Sequence, residues 1–320
     1  MDTPLVDAHC HMGTDPLDPL PVEPGRSATS STTERVLMST NPWDWARVQS
    51  TATSTDSAQP LHCAFGIHPW YAHLFSFGPV SQEEHYRSVL QYPESQEDTA
   101  TALIAHTLPA PRDIEEYIGA VDFSTVSAIG EVGLDRSFTL PASGFYQGRD
   151  SEGRVPARTR VRVSLAHQQR VFERMCRLAA ERALPLSLHA VNAHMPVFEI
   201  CQRTILHSPS VRLCLHSYTG STEFLAGQWL RTFSAERVFV SVSRWINFRE
   251  GSPGRLDIAR VPPQCILTET DYVVDGEPRD LDSDIEYLVR QLTPLLRMNS
   301  PSETRRLVHA NLQRFLSRAE

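Results

Sequence analysis

Six of the chain's imidazole and carboxylate side chains fall at equivalent places, each just past a short apolar run. They are His9 and His11 in "VDAHCHMG", Glu131 in "GEVGLD", His189 in "PLSLHA", His216 in "RLCLHS" and Asp271 in "TETD". In an extended strand residues i and i+2 face the same way, so His9 and His11 share a side and Cys10 takes the other. Neutral imidazoles and carboxylates that converge from separate elements are what a divalent metal requires. Four histidines with two carboxylates exceed the needs of one catalytic ion. A shared carboxylate would hold two ions roughly 3.5–4 Å apart, an arrangement that activates water and stabilises a leaving oxygen. Any one of these histidines alone reads better as a structural residue, and it is the set that points to a metal. Imidazole-rich ligation favours Zn²⁺, Mn²⁺ or Fe²⁺ over the harder Mg²⁺.

Such a site needs a scaffold that brings strand ends together. Eight short apolar runs meet that description: "PLVDAH" (4–9), "ERVLMST" (34–40), "LHCAFGIHP" (61–69), "VSAIGEVGLD" (126–135), "LPLSLHA" (184–190), "VRLCLHS" (211–217), "RVFVSVS" (237–243) and "QCILTET" (264–270). Their brevity, β-branched content and Gly/Pro punctuation mark buried parallel strands. Between and after them, amphipathic spacing predicts helices over 164–182, 195–206, 221–233, 282–296 and 300–318. In the last of these, Ser300, Pro301 and Glu303 form a helix start. Alternating strands and helices around eight strands predict an α/β fold, a (β/α)₈ barrel of the TIM type, as one domain over 1–320. The six residues would then ring its C-terminal mouth.

Three stretches interrupt this rhythm. Residues 14–33 are rich in Pro, Ser and Thr, 76–111 mix polar and proline-containing sequence, and 137–160 carry Gly and Arg. All follow strand ends, so they are expected as rim insertions outside the regular barrel elements.

Composition narrows the class of partner. A formal charge of −8 does not suit a protein that grips long nucleic acid, because phosphate neutralisation needs cations. No run approaches the ~20 apolar residues of a membrane helix, and the N-terminus does not read as a signal peptide. The six cysteines, at 10, 63, 176, 201, 214 and 265, include no C-x-x-C pair. Scattered in apolar runs, they suggest reduced thiols and a cytoplasmic or nuclear location.

Taken together, "DAHCH", "GIHP" (66–69), "GEVGLD" (130–135), the long helix leading into "LSLH", "HSYTGS" (216–221) and "TETD" (268–271) resemble the TatD-type metal-dependent hydrolases of the amidohydrolase superfamily. The likeness runs nearly end to end outside the three insertions, and is nearest to the fungal Cut9-interacting branch. It implies that His9 and His11 hold a first ion, that Glu131 bridges, and that His189 and His216 hold a second. Asp271 would bind the first ion and orient or deprotonate the attacking water, which makes Asp271 and Glu131 the catalytic carboxylates. The two divalent ions would be Zn²⁺, Mn²⁺ or Mg²⁺, the last being the ion commonly associated with the family's nucleases. His68 is expected to line the site. Asp135 and Glu269 read as residues behind the ligands or as buried ion pairs.

The chain departs from the pattern after its fifth strand. Val191 stands where the family has Arg, and Asn192 where it has Asp; His194 and Arg279 are candidates to compensate. With Tyr218, the residues His68, Asn192 and His194 are the expected substrate lining. Trp70, Tyr71 and Tyr218 could stack a terminal base. Three functions follow from the resemblance: hydrolysis of phosphodiesters at nucleic-acid ends, of the 3′-exonuclease type; hydrolysis of an ester or amide, including an aminoacyl ester on tRNA; or a weakly active homologue that binds a protein partner.

Overall fold

The computed structural model describes residues 3–13, 30, 32–53, 58–145, 157–249, 256–274 and 280–318. Eight parallel strands follow one another around a nearly closed barrel: β1 (Leu5–His11), β2 (Thr33–Met38), β3 (Leu61–Phe65), β4 (Val126–Asp135), β5 (Leu186–Val191), β6 (Leu213–Leu215), β7 (Val238–Ser243) and β8 (Ile266–Glu269). The ring is drawn shut just past β8, where the amide of Asp271 donates to His9 O (3.0 Å) and that of His11 to Tyr272 O (2.8 Å). All eight strands fall within a few residues of the apolar runs that predict them. Their cores are buried on both faces, as parallel strands between helices and a barrel lumen must be.

Two strands carry an irregularity where a candidate ligand sits. Asp7 pairs with Arg35 and Cys10 with Leu37, so Ala8 and His9 together face Val36. Likewise Ile129 pairs with Leu186 and Val132 with Leu188, which sets Gly130 and Glu131 against Ser187. An extra residue of this kind shifts the phase of the side chains beyond it. Val6 and Ala8 therefore pack in the floor of the barrel, while His9 and His11 both turn to the mouth.

The helices alternate with the strands: α1 (Trp45–Ala52), α2 (Gln82–Val89), α3 (Glu97–His106), α4 (Ile114–Gly119), α5 (Leu165–Arg182), α6 (His194–Ile205), α7 (Leu281–Leu295) and α8 (Pro301–Leu316). The predicted 221–233 helix runs from Thr222 to Phe233 with a π-helical middle, Leu225–Leu230. Ser164 caps α5 by accepting from His167 N (3.2 Å), and Ser300 caps α8 by accepting from Glu303 N (3.2 Å). On α8, Val308, Leu312 and Phe315 plug the barrel floor against Val6, Phe239 and Leu267. No helix among the described residues is long and apolar enough to cross a membrane.

The stretch 76–111, expected as an insertion, holds α2 and α3 between β3 and β4, and their Tyr86, Val89, Ala100, Leu103 and Ile104 are part of the main core. Its exposed faces are polar enough to hide an i, i+3, i+4 apolar spacing. At 137–160, Phe138, Leu140 and Phe145 are likewise buried, and Leu140 pairs through its backbone with Thr159 and Val161. Residues 146–156 lie outside the described residues. So do 14–29 and 31, whereas Thr33 already begins β2.

A second group of histidines is packed beside α5, away from the six. His85 Nε2 donates to His73 O (2.8 Å) and His167 Nε2 to Ala72 O (2.9 Å). Burial, with repulsion between His73 and His167, pushes His73 down to about 3; burial pushes His167 down to about 4. Both are neutral when folded, and both take up a proton near pH 6.5 when unfolded. Their contribution is therefore intact above pH 6.5 and is lost as pH falls below it. By pH 5 the loss reaches roughly 2 kcal/mol for each. Urea unfolding of wild type and His73→Leu at pH 7.5 and pH 5.0 checks this. The variant should lose less stability between the two pH values by about the contribution of one histidine.

Candidate metal centre

The mouth of the barrel gathers all six predicted ligands around the Glu131 carboxylate, which is buried. Its two oxygens face different partners. On Oε2 stand His9 Nε2 at 3.3 Å and His11 Nε2 at 3.4 Å, and Asp271 Oδ1 lies 3.4 Å from His11 Nε2. On Oε1 stand His189 Nδ1 at 2.6 Å, His216 Nε2 at 3.0 Å and His68 Nε2 at 3.3 Å. Within each pair the imidazole nitrogens approach closely, 3.2 Å for His9–His11 and 3.4 Å for His189–His216.

Nitrogens that crowd one carboxylate in two sets suit cations better than they suit each other, and this donor set fits two divalent ions. One would take His9, His11 and Asp271 with one oxygen of Glu131; the other would take His189 and His216 with the second oxygen. Three of the four imidazoles also have their far nitrogen set against an oxygen. His9 Nδ1 is 2.9 Å from Ser187 Oγ, His189 Nε2 is 3.5 Å from Asp135 Oδ2, and His216 Nδ1 is 3.3 Å from Glu269 Oε1. Such outer partners fix the ring tautomer and raise ligand basicity.

These outer partners are themselves anchored. Glu269 accepts from the hydroxyls of Ser217 and Ser241. Asp135 accepts from Trp70 Nε1 (2.6 Å), and its backbone amide donates to Gln168 on α5 (2.9 Å). Both carboxylates thus stand behind candidate ligands. Ser187 and Gln168 escape a reading of the sequence, although Ser187 lies two residues before His189 on the same strand face.

Electrostatics follow from this crowding. Burial pushes Glu131 up, but His68, His216, His9 and His189 outweigh it and hold the carboxyl well below its ordinary range. Burial opposes charge on His216, yet Glu131, Glu269 and Asp271 together raise it well above the usual imidazole value. His189 is raised to about 8, Glu131 and Asp135 outweighing its burial. Burial, with help from His189, pushes His68 down to about 4. The Nδ1 of His68 accepts from Trp70 N (3.2 Å), so its single proton is on Nε2, facing the carboxylate.

The close approach of two motifs shapes the site. A Cβ on Gly66 of "GIHP" would overlap the backbone of Gly130 and Glu131. Gly66→Ala should therefore displace Glu131, with a cost of about 1–3 kcal/mol in stability and a drop in metal content. Elemental analysis beside a thermal melt checks both.

A pocket of about 190 Å³ opens over the centre and is lined by His11, His68, Trp70, Glu131, His189 and Asp271 among others. Of the expected lining residues only His68 belongs to it. Tyr218 is buried, its hydroxyl donating to Ser221 O (3.3 Å). Asn192 is turned outward and donates to Ser137 Oγ (2.6 Å), while His194 is on the rim, 3.2 Å from Thr219 Oγ1. Local sequence proximity to ligands does not set side-chain direction, and the turn after β5, with Asn192 at φ 52°, carries these residues away. Arg279 lies outside the described residues. Trp70 and Tyr71 both line the pocket; Tyr71 is otherwise buried, and Trp70 has a face covered by Phe138 (ring centroids 4.8 Å apart) and its Nε1 donating to Asp135.

The sequence matches the family model described as TatD related DNase over residues 6–317. It is 41% identical over 319 residues to a Saccharomyces cerevisiae protein named as an uncharacterized deoxyribonuclease, covering 98% of this chain and 99% of that one. It is 28% identical to the Cut9-interacting protein of Schizosaccharomyces pombe, over 90% of each chain. A Cronobacter sakazakii 3′-5′ ssDNA/RNA exonuclease TatD is 30% identical over about half of either chain, 49% and 48%. In structure, the Escherichia coli TatD homolog YjjV shares the fold, with a TM-score of 0.60 at 21% identity and 99% coverage of both chains. Barrel, mouth and motifs agree with these likenesses, and the chain belongs to the TatD-related DNase family of hydrolases.

Proposed function

We propose that this protein is a divalent-metal-dependent phosphodiesterase that removes nucleotides from the 3′ end of single-stranded nucleic acid. The observation that carries the reading is the division of Glu131, with one oxygen facing His9 and His11 and the other facing His189 and His216. When bound, two divalent ions lower the pKa of water and neutralise charge that builds on the phosphoryl group. The chain's own residues supply the rest. Asp271 is 31% exposed at its side chain and faces the pocket, where its carboxylate takes the proton of the attacking water. Burial pushes Asp271 up, but His216 and His11 outweigh it, so the base is ionised at neutral pH. His68, neutral with its proton on Nε2, faces Glu131 Oε1 at 3.3 Å and helps hold that carboxylate in place. Ser187, Asp135 and Glu269 keep three ligand rings from turning. Water adds to phosphorus as the ester bond to the neighbouring nucleotide breaks.

The test is a single-stranded oligonucleotide labelled at its 5′ end, incubated with Mg²⁺, Mn²⁺ or Zn²⁺ in turn. Progressive shortening that requires metal is the expected result; an intact strand with every ion overturns the reading. One observation favours a second reading. Among the described residues no arginine lines the pocket, so the same centre would also suit a less highly charged ester or amide. Turnover of aryl or aminoacyl esters with intact oligonucleotides would select it.

A further inference from the structure

Trp70 lies in the short 3₁₀ helix Pro69–Leu74 and lines the metal pocket. Two of its groups bind residues of the centre, and both lead to the same oxygen of Glu131. Its backbone amide donates to His68 Nδ1 (3.2 Å), and His68 Nε2 faces Glu131 Oε1 at 3.3 Å. Its indole Nε1 donates to Asp135 Oδ2 (2.6 Å), and that oxygen is 3.5 Å from His189 Nε2. The other nitrogen of His189, Nδ1, stands 2.6 Å from Oε1. The Oε2 side is held by other means: His9 Nδ1 is 2.9 Å from Ser187 Oγ, and the amide of Asp271 donates to His9 O.

Asp135 ends β4 and is pinned at three of its four polar groups before the indole is counted. Its Oδ1 accepts from Ser137 N (2.6 Å) and Phe138 N (3.1 Å). Gln168 of α5 binds its backbone twice, accepting from Asp135 N (2.9 Å) and donating to Asp135 O (3.0 Å). Oδ2 is the end left for Trp70 and His189. Phe138 stacks on the Trp70 ring, with the planes 15° apart, and so holds the indole in the orientation that serves Oδ2. His189 Nε2 is buried and has no hydrogen-bond partner shorter than its contact with this oxygen. A ring that ligates through Nδ1 is steadied by whatever meets its far nitrogen.

We propose that Trp70 is a positioning residue for the second ion alone. Its indole N–H holds Asp135 Oδ2 against His189, and so governs occupancy of the His189–His216 site without acting on the His9–His11 site. This rests on the two-ion centre of the reading above and not on its substrate. Trp70→Phe isolates the effect, because it keeps an aromatic ring against Phe138 and the backbone amide that serves His68, and removes only the N–H and the wider ring.

The test titrates Mn²⁺ into the metal-stripped full chain by calorimetry, for wild type, Trp70→Phe, Asp135→Asn and the double variant. Electron paramagnetic resonance of each loaded protein shows whether the Mn²⁺ ions are magnetically coupled through a shared carboxylate or isolated. Trp70→Phe should weaken the second ion about 10- to 100-fold and leave the first unchanged, and the coupled signal should give way to that of an isolated ion. The double variant should bind the second ion no more weakly than Asp135→Asn does, because both changes cut one path. A second ion held as tightly by Trp70→Phe as by wild type overturns the proposal. So does an equal loss of both ions, the mark of a packing role, and so do losses that add in the double variant. A wild type that takes up a single ion overturns the two-ion centre and the proposal with it.

Discussion

Glu131→Gln is expected to empty the metal centre and to reduce kcat/KM beyond the ~10⁴-fold that marks the upper end for loss of a single general base. The substitution preserves shape and removes the one negative charge that faces five imidazoles, those of His9, His11, His68, His189 and His216. Neither set of nitrogens then has an anion to share with an ion, and an amide offers only one weak oxygen donor. Loss should therefore appear twice, as fewer than two metal equivalents by elemental analysis and as collapse of turnover. Retention of both ions with activity within tenfold of wild type would show that Glu131 does not bridge.

Asp271→Asn should act on chemistry more than on occupancy. Asp271 has φ 53°, a left-handed backbone that asparagine tolerates well, so the turn after β8 should persist. The amide of residue 271 continues to donate to His9 O, and the barrel stays drawn together there. What disappears is the carboxylate facing the pocket. Turnover should fall roughly 10²–10⁴-fold, mostly in kcat, while the ion held by His189, His216 and Glu131 remains. A change below about threefold would remove Asp271 from the role of base. In combination with Glu131→Gln the losses should not add, because residues that act as a unit give non-additive effects.

How much of this was legible beforehand follows from how locally each feature is encoded. Strand positions were readable because a buried parallel strand is a continuous β-branched and apolar run, and α5 and α8 because their apolar spacing and caps are contained within single segments. The six converging residues were readable because a strand end in a barrel has one destination, the mouth. The helices at 76–111 were missed because their few inward residues are diluted by polar ones, and only packing against the rest of the core reveals them.

Side-chain direction was decided by the tertiary structure alone. The extra residues at Ala8–His9 and Gly130–Glu131 exist only relative to the neighbouring strand, since a register shift is a property of a pair. Those shifts determine which Glu131 oxygen meets which histidines. The same holds for Ser187, Asp135 and Glu269, which reach their imidazoles from other strands. It holds also for the aromatic residues. Tyr218 adjoins a ligand motif in sequence and is buried, whereas Trp245 adjoins none and is half exposed. The sequence by itself determined the elements, their order and the chemistry carried at their ends, because these depend on local periodicity and residue type. Pairing, phase and exposure depend on contacts between segments far apart in the chain, and only the closed barrel sets them.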